Sequence, residues 1–196
     1  TTRPMFMKLN SLAVASVICG AIGAQTIIAP SIYTNTDGGS TANIWRAGIN
    51  RVQGIYDSSN FTTQNVGQPI VISNLEFRLT GALSTAIVTY PSVNIYLQNA
   101  AVDYLAPSGT FAANRSVAFP TTPNFSGPIT TVAVPGTTPN GYFISVPLST
   151  PFTYTPDNGV DLLVEIEILA APTPLSANTC QAGNGNVATL TQGGNS

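Results

Sequence analysis

The chain has 196 residues, and its 17 Gly and 15 Pro disfavour an architecture built from long helices. Charged side chains make up only 7% of the residues and the formal net charge is −2, so the clustered Lys and Arg that nucleic-acid binding requires are missing. The absence of histidine excludes His-dependent triads, Cys–His pairs, the usual zinc hydrolase sites and imidazole pH switches.

The N-terminal residues are typical of an export signal. Lys8 precedes an apolar run over 12–22, and small residues follow up to Ala24. A signal-peptide core has about 7 to 15 apolar residues, whereas a membrane-spanning helix needs about 20, so we predict a secretory signal peptide within residues 1–24. The alternatives are a buried strand and an uncleaved membrane anchor.

Removal of this leader would change the charge and the cysteine content of the chain. The remainder would hold four Arg, no Lys and all eight acidic residues. Cys180 would be the one remaining cysteine, because Cys19 leaves with the leader. We interpret it as an unpaired thiol near the end of the chain, and the alternatives are an intermolecular bridge or a partner outside this sequence.

Alternation of apolar and polar residues with a period of two predicts a series of strands after the leader. The clearest segments are 68–81, with a kink near Ser73 and Asn74, followed by 92–99, 142–148 and 160–169. Weaker segments are 27–33, 51–56, 129–134 and 187–191. Pro147 places its strand at a sheet edge or a strand end, because proline cannot donate to a central ladder.

The segment 160–169 shows the strongest alternation and is predicted to be a core strand. One face is aliphatic, and its members are Leu162, Val164, Ile166 and Ile168. The opposite face is acidic, and its members are Asp161, Glu165 and Glu167.

These patterns predict an all-β fold, since no segment of ten residues shows helical periodicity after the leader. We expect an antiparallel β-sandwich of the jelly-roll or Greek-key kind, because connections such as 100–124, with a short helical turn at 110–114, are long for hairpins. The domain is expected to span 25–170. The Pro-, Asn- and Gly-rich residues 171–196 are expected to be an incomplete end of the domain.

Short motifs follow one another in a distinctive order between residues 49 and 168. They are Arg51-Val52-Gln53, Leu75-Glu76-Phe77-Arg78, Val93-Asn94-Ile95-Tyr96-Leu97, Phe152-Thr153-Tyr154-Thr155-Pro156 and Leu162-Leu163-Val164-Glu165-Ile166. This order resembles a group of secreted bacterial β-sandwich proteins, many of which end in a sorting tail of the PEP-CTERM kind. The resemblance implies the fold and a secreted or cell-surface location, but no chemistry, and the sorting tail is absent from this sequence.

The acidic face of segment 160–169 is the first candidate for chemistry. Glu165 and Glu167 would project side by side, and two acids about 5 to 9 Å apart can cleave glycosidic bonds. The simpler interpretation, which we favour, is the solvated outer face of an amphipathic strand.

The segment 35–40 offers alternating oxygen ligands, as calcium loops do. A complete loop needs a bidentate acid at its twelfth position, and that position is occupied by Arg46. We therefore interpret 35–40 as a turn, and we interpret Pro156-Asp157-Asn158-Gly159 in the same way.

Exposed aromatic residues could stack on sugar rings, and Tyr96 and Trp45 are the speculative glycan contacts. Aromatic residues of strands are more often core residues or cross-strand partners. Asn60, Asn114 and Asn124 fit the glycosylation sequon, but such matches are weak evidence in a chain rich in Asn and Thr.

We predict an exported, non-catalytic β-sandwich that is a structural or interaction component of the cell surface or extracellular matrix. The alternative is a carbohydrate-binding module, and a carboxylate-based glycosidase comes third. We expect no catalytic residue, no cofactor and no metal site. The expected partner is an extracellular polymer or a neighbouring surface protein, and membrane contact is expected only through the signal peptide or a missing C-terminal anchor.

Overall fold

The computed structural model describes residues 25–38, 44–45, 48–80, 87–118, 122–173, 179–180 and 187–193. The predicted signal peptide lies outside these residues. The described part of the chain contains no helix with the length and apolar character needed to cross a membrane.

The described residues form strands, one short α-helix and short 3-10 turns. The strands are β1 (Asn50–Tyr56), β2 (Ile70–Thr80), β3 (Thr89–Asn99), β4 (Phe125–Thr130), β5 (Tyr142–Tyr154), β6 (Leu162–Ala170), β7 (Thr179–Cys180) and β8 (Val187–Gly193). The helix is α1 (Ser59–Thr62), and the 3-10 turns are Ser31–Tyr33, Phe111–Asn114 and Pro156–Asn158. The prediction of an all-β fold is confirmed.

The strands form two antiparallel sheets. The five-stranded sheet has the order β4-β3-β6-β1-β8, and the three-stranded sheet has the order β5-β2-β7. The pairing is nested, because β1 pairs with β8, β2 with β7 and β3 with β6. The innermost strands, β4 and β5, are joined at both ends, where Thr150 N–H donates to Asn124 O (3.0 Å) and Val132 N–H donates to Phe143 O (2.8 Å).

Several details predicted from the alternation are confirmed. The kink in β2 appears as a shift of register between Ile72 and Asn74. Pro147 lies on β5, which is an edge strand, so its missing N–H disrupts no central ladder. The turn expected at 110–114 is the 3-10 turn Phe111–Asn114.

The prediction of a strand over 27–33 is wrong. The segment contains the 3-10 turn Ser31–Tyr33, and amide side chains of the α1 region, rather than a neighbouring strand, bind its backbone. Gln64 donates to Ile28 O (2.8 Å) and accepts from Ile28 N–H (3.1 Å), while Asn60 Oδ1 accepts from Ser31 N–H (3.0 Å). Because these bonds replace a ladder, the segment needs no sheet partner.

The weak strand predicted at 187–191 is confirmed as β8 (Val187–Gly193). It lies in the segment that was expected to be an incomplete end of the domain, and it pairs with β1 from Tyr56↔Val187 to Asn50↔Gly193. This strand is therefore part of the five-stranded sheet. The segment 129–134 is another correction, because β4 begins at Phe125 and ends at Thr130.

Both sheets contribute side chains to one hydrophobic cluster. Its buried members include Val93, Ile95 and Leu97 of β3 and Ile144, Val146 and Leu148 of β5. Trp45 joins the two groups, since its ring makes edge contacts with Phe77 of β2 and Tyr90 of β3, with ring centroids 5.2 Å apart in each case.

Gly54 provides a test of this packing. A Cβ atom at Gly54 would lie 2.8 Å from Cε2 of Tyr56, on the same strand. We expect Gly54→Ala to displace the Tyr56 ring and to lower the free energy of unfolding by about 1 to 3 kcal/mol in urea denaturation. Gly67→Ala is the control, because nothing lies within 4 Å of its added Cβ. Equal stability of the two variants would contradict the packing of Tyr56 on Gly54.

Candidate functional site

The ionic side chains of the five-stranded sheet lie on the face that points away from the hydrophobic cluster. We call this surface the outer face, and it carries Arg51 and Gln53 of β1, Asn94, Tyr96 and Gln98 of β3, and Leu163, Glu165 and Glu167 of β6. The β3–β4 loop, which begins at Ala100, folds back onto this face. Its return is fixed by a bridge between Ala100 and Arg115 and by a hydrogen bond from Ala101 N–H to Asn114 O (2.9 Å).

Glu165 is fully buried beneath this loop. Arg115 binds it with two bonds, from Nε to Oε2 (2.9 Å) and from Nη2 to Oε1 (2.8 Å). Gln53 donates to Oε2 (2.7 Å), and Arg51 donates to Oε1. The interpretation of Glu165 as part of a solvated face is therefore wrong, because the loop covers it and delivers a second arginine to it.

Two buried amide side chains extend this network into the loop. Asn114 donates to Gln53 Oε1 (3.0 Å) and to Ser108 O (2.9 Å), and it accepts from Ser108 N–H (2.8 Å). Gln53 also donates to Phe111 O (3.1 Å). Buried polar groups are stable only when they are hydrogen-bonded, so these contacts fix the loop in one position on the sheet.

Glu167 lies at the margin of the buried network. Its side chain is 16% exposed, and its Oε1 is 3.3 Å from Arg51 Nε. It also accepts a hydrogen bond from the hydroxyl of Tyr96, and Asn94 Nδ2 donates to that hydroxyl (3.4 Å). Burial raises the pKa of Tyr96, and Glu167 raises it further, so the hydroxyl stays protonated and remains a donor.

The structure places the two speculative glycan contacts in different parts of the molecule. Trp45 is 0% exposed in the core, and Tyr96 is 5% exposed on the outer face. Because neither ring presents an open face to solvent, neither ring is positioned to stack on a sugar. The aromatic pattern of the sequence indicated β-structure, but it carried no information about exposure.

Asp161 occupies a second polar position, at the beginning of β6. It is 7% exposed, and its carboxylate accepts hydrogen bonds from Ser58 N–H (3.0 Å) and Tyr104 N–H (2.8 Å). It thereby ties the residues before α1 to the β3–β4 loop. Burial is the main cause that raises the pKa of Asp161; Asp57 and Asp103 also raise it, and the two backbone bonds oppose them.

This raised pKa predicts a dependence of stability on pH. The folded protein holds a proton on Asp161 at pH values where the unfolded chain has released it, so the contribution of Asp161 is largest below the ordinary carboxyl range and falls as pH rises through the raised pKa. We expect the stability of the wild-type chain minus that of Asp161→Asn to decrease between about pH 3 and about pH 7. Urea denaturation across this range measures the difference, and an increase with pH would contradict the assignment.

The acidic residue of the partial calcium pattern has a structural role. Asp37 Oδ1 accepts a hydrogen bond from Asn140 N–H (2.7 Å), which joins the segment 25–38 to the turn before β5. Ser40 and Arg46 of that pattern lie outside the described residues. Within the described part of the chain, no group of three or more His, Cys, Asp or Glu residues could hold a metal ion.

The side chains of the three sequon asparagines also form hydrogen bonds within the protein. Asn60 is 1% exposed and Asn114 is 0% exposed, so neither amide can carry an oligosaccharide in the folded state. Asn124 Oδ1 accepts from Leu97 N–H (2.7 Å), and its Nδ2 donates to Thr150 O (2.9 Å). These asparagines are therefore structural residues of the loops and sheet ends.

Comparison with known proteins gives no identification, since no protein-family model, curated protein or solved structure matches the chain. The resemblance to secreted bacterial β-sandwich proteins therefore stays a prediction.

Arg115, Gln53 and Asn114 were not predicted to be members of the network. A signal existed for Gln53, because Arg51 and Gln53 alternate with Val52 on a predicted strand and so share one face. Arg115 and Asn114 lie in a loop, where no periodicity indicates which surface they contact. The scarcity of charge was the remaining signal, since an arginine in a chain with 7% charged residues is a strong candidate partner for an acid.

Proposed function

We propose that this chain is an exported, non-catalytic β-sandwich that serves as a structural or interaction component of the cell surface or extracellular matrix. The observation that supports the proposal is that Glu165 accepts hydrogen bonds from two arginines and from the amide of Gln53. General acid catalysis of glycoside hydrolysis needs a carboxyl group that can take and release a proton beside the substrate. A buried carboxylate held by two guanidinium groups is suited to fixing a loop instead.

The arrangement of the strands supports a jelly-roll sandwich as the architecture. Nested pairing of β1 with β8, β2 with β7 and β3 with β6 is what results when one long antiparallel hairpin is rolled into two sheets. The hydrophobic cluster shared by both sheets supports face-to-face packing.

The segment after the predicted leader supports a mature chain that begins near residue 25. Arg78 of β2 donates to Tyr33 O (2.7 Å) and stacks over the Tyr142 ring, with its guanidinium carbon 5.4 Å from the centroid. Together with the bonds from Gln64 and Asn60, this contact holds residues 28–33 on the folded domain. A leader upstream of residue 25 can be removed without loss of these contacts.

Export and the absence of hydrolysis are tested separately. Expression of the full chain in a bacterium, followed by fractionation and mass determination, should yield a processed chain outside the cytoplasm whose first residue is near 25. The purified protein should release no reducing ends from a panel of polysaccharides. Hydrolysis that disappears in Glu167→Gln, with folding unchanged, would overturn the non-catalytic proposal, and recovery of the unprocessed chain from the cytosol would overturn export.

A further inference from the structure

Three polar side chains of the outer face lie in one row across neighbouring strands. Asn94 of β3 is in register with Glu167 of β6, and Glu167 is in register with Arg51 of β1. The backbone of Gln192 on β8 is next in register after Arg51. Strands of a sheet are about 4.8 Å apart, so the three side chains span about 10 Å. We call Asn94, Glu167 and Arg51 the polar row.

The polar row is accessible, whereas the next row of the same face is not. Arg51 and Glu167 have side chains that are 27% and 16% exposed. In the neighbouring row, Gln53 and Glu165 are both 0% exposed under the β3–β4 loop. The loop ends against the polar row, where the Phe111 ring lies beneath the guanidinium of Arg51, 5.7 Å from its carbon to the centroid. The polar row therefore forms a half-buried ledge beside the β3–β4 loop.

Two exposed aliphatic side chains lie on the other side of the polar row. Ile49 is 47% exposed and Leu169 is 51% exposed. Leu169 belongs to β6 and Ile49 immediately precedes β1, and the adjacent residues Asn50 and Ile168 are buried and in register with each other. Ile49 and Leu169 thus place an apolar strip next to the polar groups.

The polar row is held in place and is electrically balanced. Asn94, Tyr96, Glu167 and Arg51 are linked by successive hydrogen bonds and an ion pair, so their side chains lose little freedom when a ligand binds. The positive charge of Arg51 and the negative charge of Glu167 cancel. A balanced row complements an uncharged ligand, since an ionic ligand would meet attraction and repulsion together.

We propose that the polar row binds a neutral carbohydrate. Planar amide, carboxylate and guanidinium groups pair with adjacent hydroxyls of a sugar, and the strip of Ile49 and Leu169 contacts its C–H surface. The proposal rests on the proposed function, because it supplies the extracellular polymer that a non-catalytic surface domain would bind. It replaces Tyr96 and Trp45 as stacking contacts with the polar row on the outer face.

The test is a titration of the full chain with neutral glucan, mannan, xylan and chitin oligosaccharides, with sulfated and uronic-acid oligosaccharides alongside. We expect saturable binding of at least one neutral oligosaccharide and none of the acidic ones. Asn94→Ala should weaken this binding about tenfold, as loss of the amide contacts implies. Leu169→Ser, at an exposed position, should weaken it severalfold, and the melting temperature of each variant verifies folding.

Asn74→Ala is the matched control. Asn74 is an exposed asparagine on β2 of the other sheet, where its side chain bonds to Ser145 (3.0 Å). We expect binding by this variant to stay within about twofold of the wild-type value. Absence of binding at millimolar concentrations, preference for acidic oligosaccharides, or equal losses in Asn94→Ala and Asn74→Ala would overturn the inference. Those results leave the non-catalytic proposal standing, whereas hydrolysis of a bound oligosaccharide would overturn that proposal and leave the binding site intact.

Discussion

Arg115→Ala should lower the free energy of unfolding by about 3 to 5 kcal/mol, as is usual when one partner of a buried ion pair is removed. Arg115 is 8% exposed at its side chain and makes two bonds to a carboxylate that is itself fully buried. Its loss leaves Glu165 with the bonds from Arg51 and Gln53, in a position that is fully buried. Urea denaturation of the two chains measures the effect.

Two further variants calibrate this result. Arg51→Ala should lower the free energy of unfolding by less, about 1 to 3 kcal/mol, because it removes one of several bonds to the buried Glu165 and its own side chain is 27% exposed. Glu76→Ala removes an exposed acid of β2 and should change the stability by less than about 0.5 kcal/mol. A loss in Arg115→Ala as small as the one in Glu76→Ala would show that Glu165 is not buried as an ion pair.

Trp45→Ala should produce a loss of similar size, about 3 to 5 kcal/mol, because it removes the largest fully buried side chain. The indole contacts Phe77 of the three-stranded sheet and Tyr90 of the five-stranded sheet, so the cavity would open where the sheets meet. Thermal and urea denaturation measure the loss.

Leu105→Ala is the control for Trp45→Ala. Leu105 is 76% exposed, and its truncation should leave stability within about 0.5 kcal/mol. If Trp45→Ala were as stable as Leu105→Ala, the indole could not be the core contact between the sheets. In that case, a loss of glycan binding in Trp45→Ala could not be explained by unfolding, and it would indicate that the tryptophan is exposed.

The strands were predictable because alternation reflects a physical constraint on each strand separately. In β6, Val164 and Ile166 face the core while Glu165 and Glu167 face the opposite way, as the pattern predicted. The same pattern could not show that the outer face is covered over Glu165. Burial of that face depends on a loop contact with Arg115, fifty residues away along the chain.

The wrong prediction at 27–33 and the weak signal at 187–191 have a common physical cause. An apolar segment such as 27–33 forms a strand only if a sheet edge is available to it, and here Gln64 and Asn60 bind its backbone instead. In contrast, β8 has weak alternation but lies in register with β1 along its whole length. Tertiary pairing overrides local propensity in both cases.

The site was less predictable than the fold for the same reason. Glu165, Glu167 and Tyr96 were identified as polar residues of strand faces, but their partners come from different strands and from a loop. The polar row depends on the register of β3, β6 and β1, and register is not visible in one strand at a time.

A double-mutant cycle between Arg115 and Glu165 tests the central claim most directly. Unfolding free energies are measured for the wild-type chain, Arg115→Met, Glu165→Met and the double variant. The buried pair predicts a coupling energy of at least about 2 kcal/mol, with the double variant more stable than the sum of the single losses implies. A coupling energy within about 0.5 kcal/mol of zero would contradict the buried ion pair, and Glu165 would again be a candidate catalytic acid.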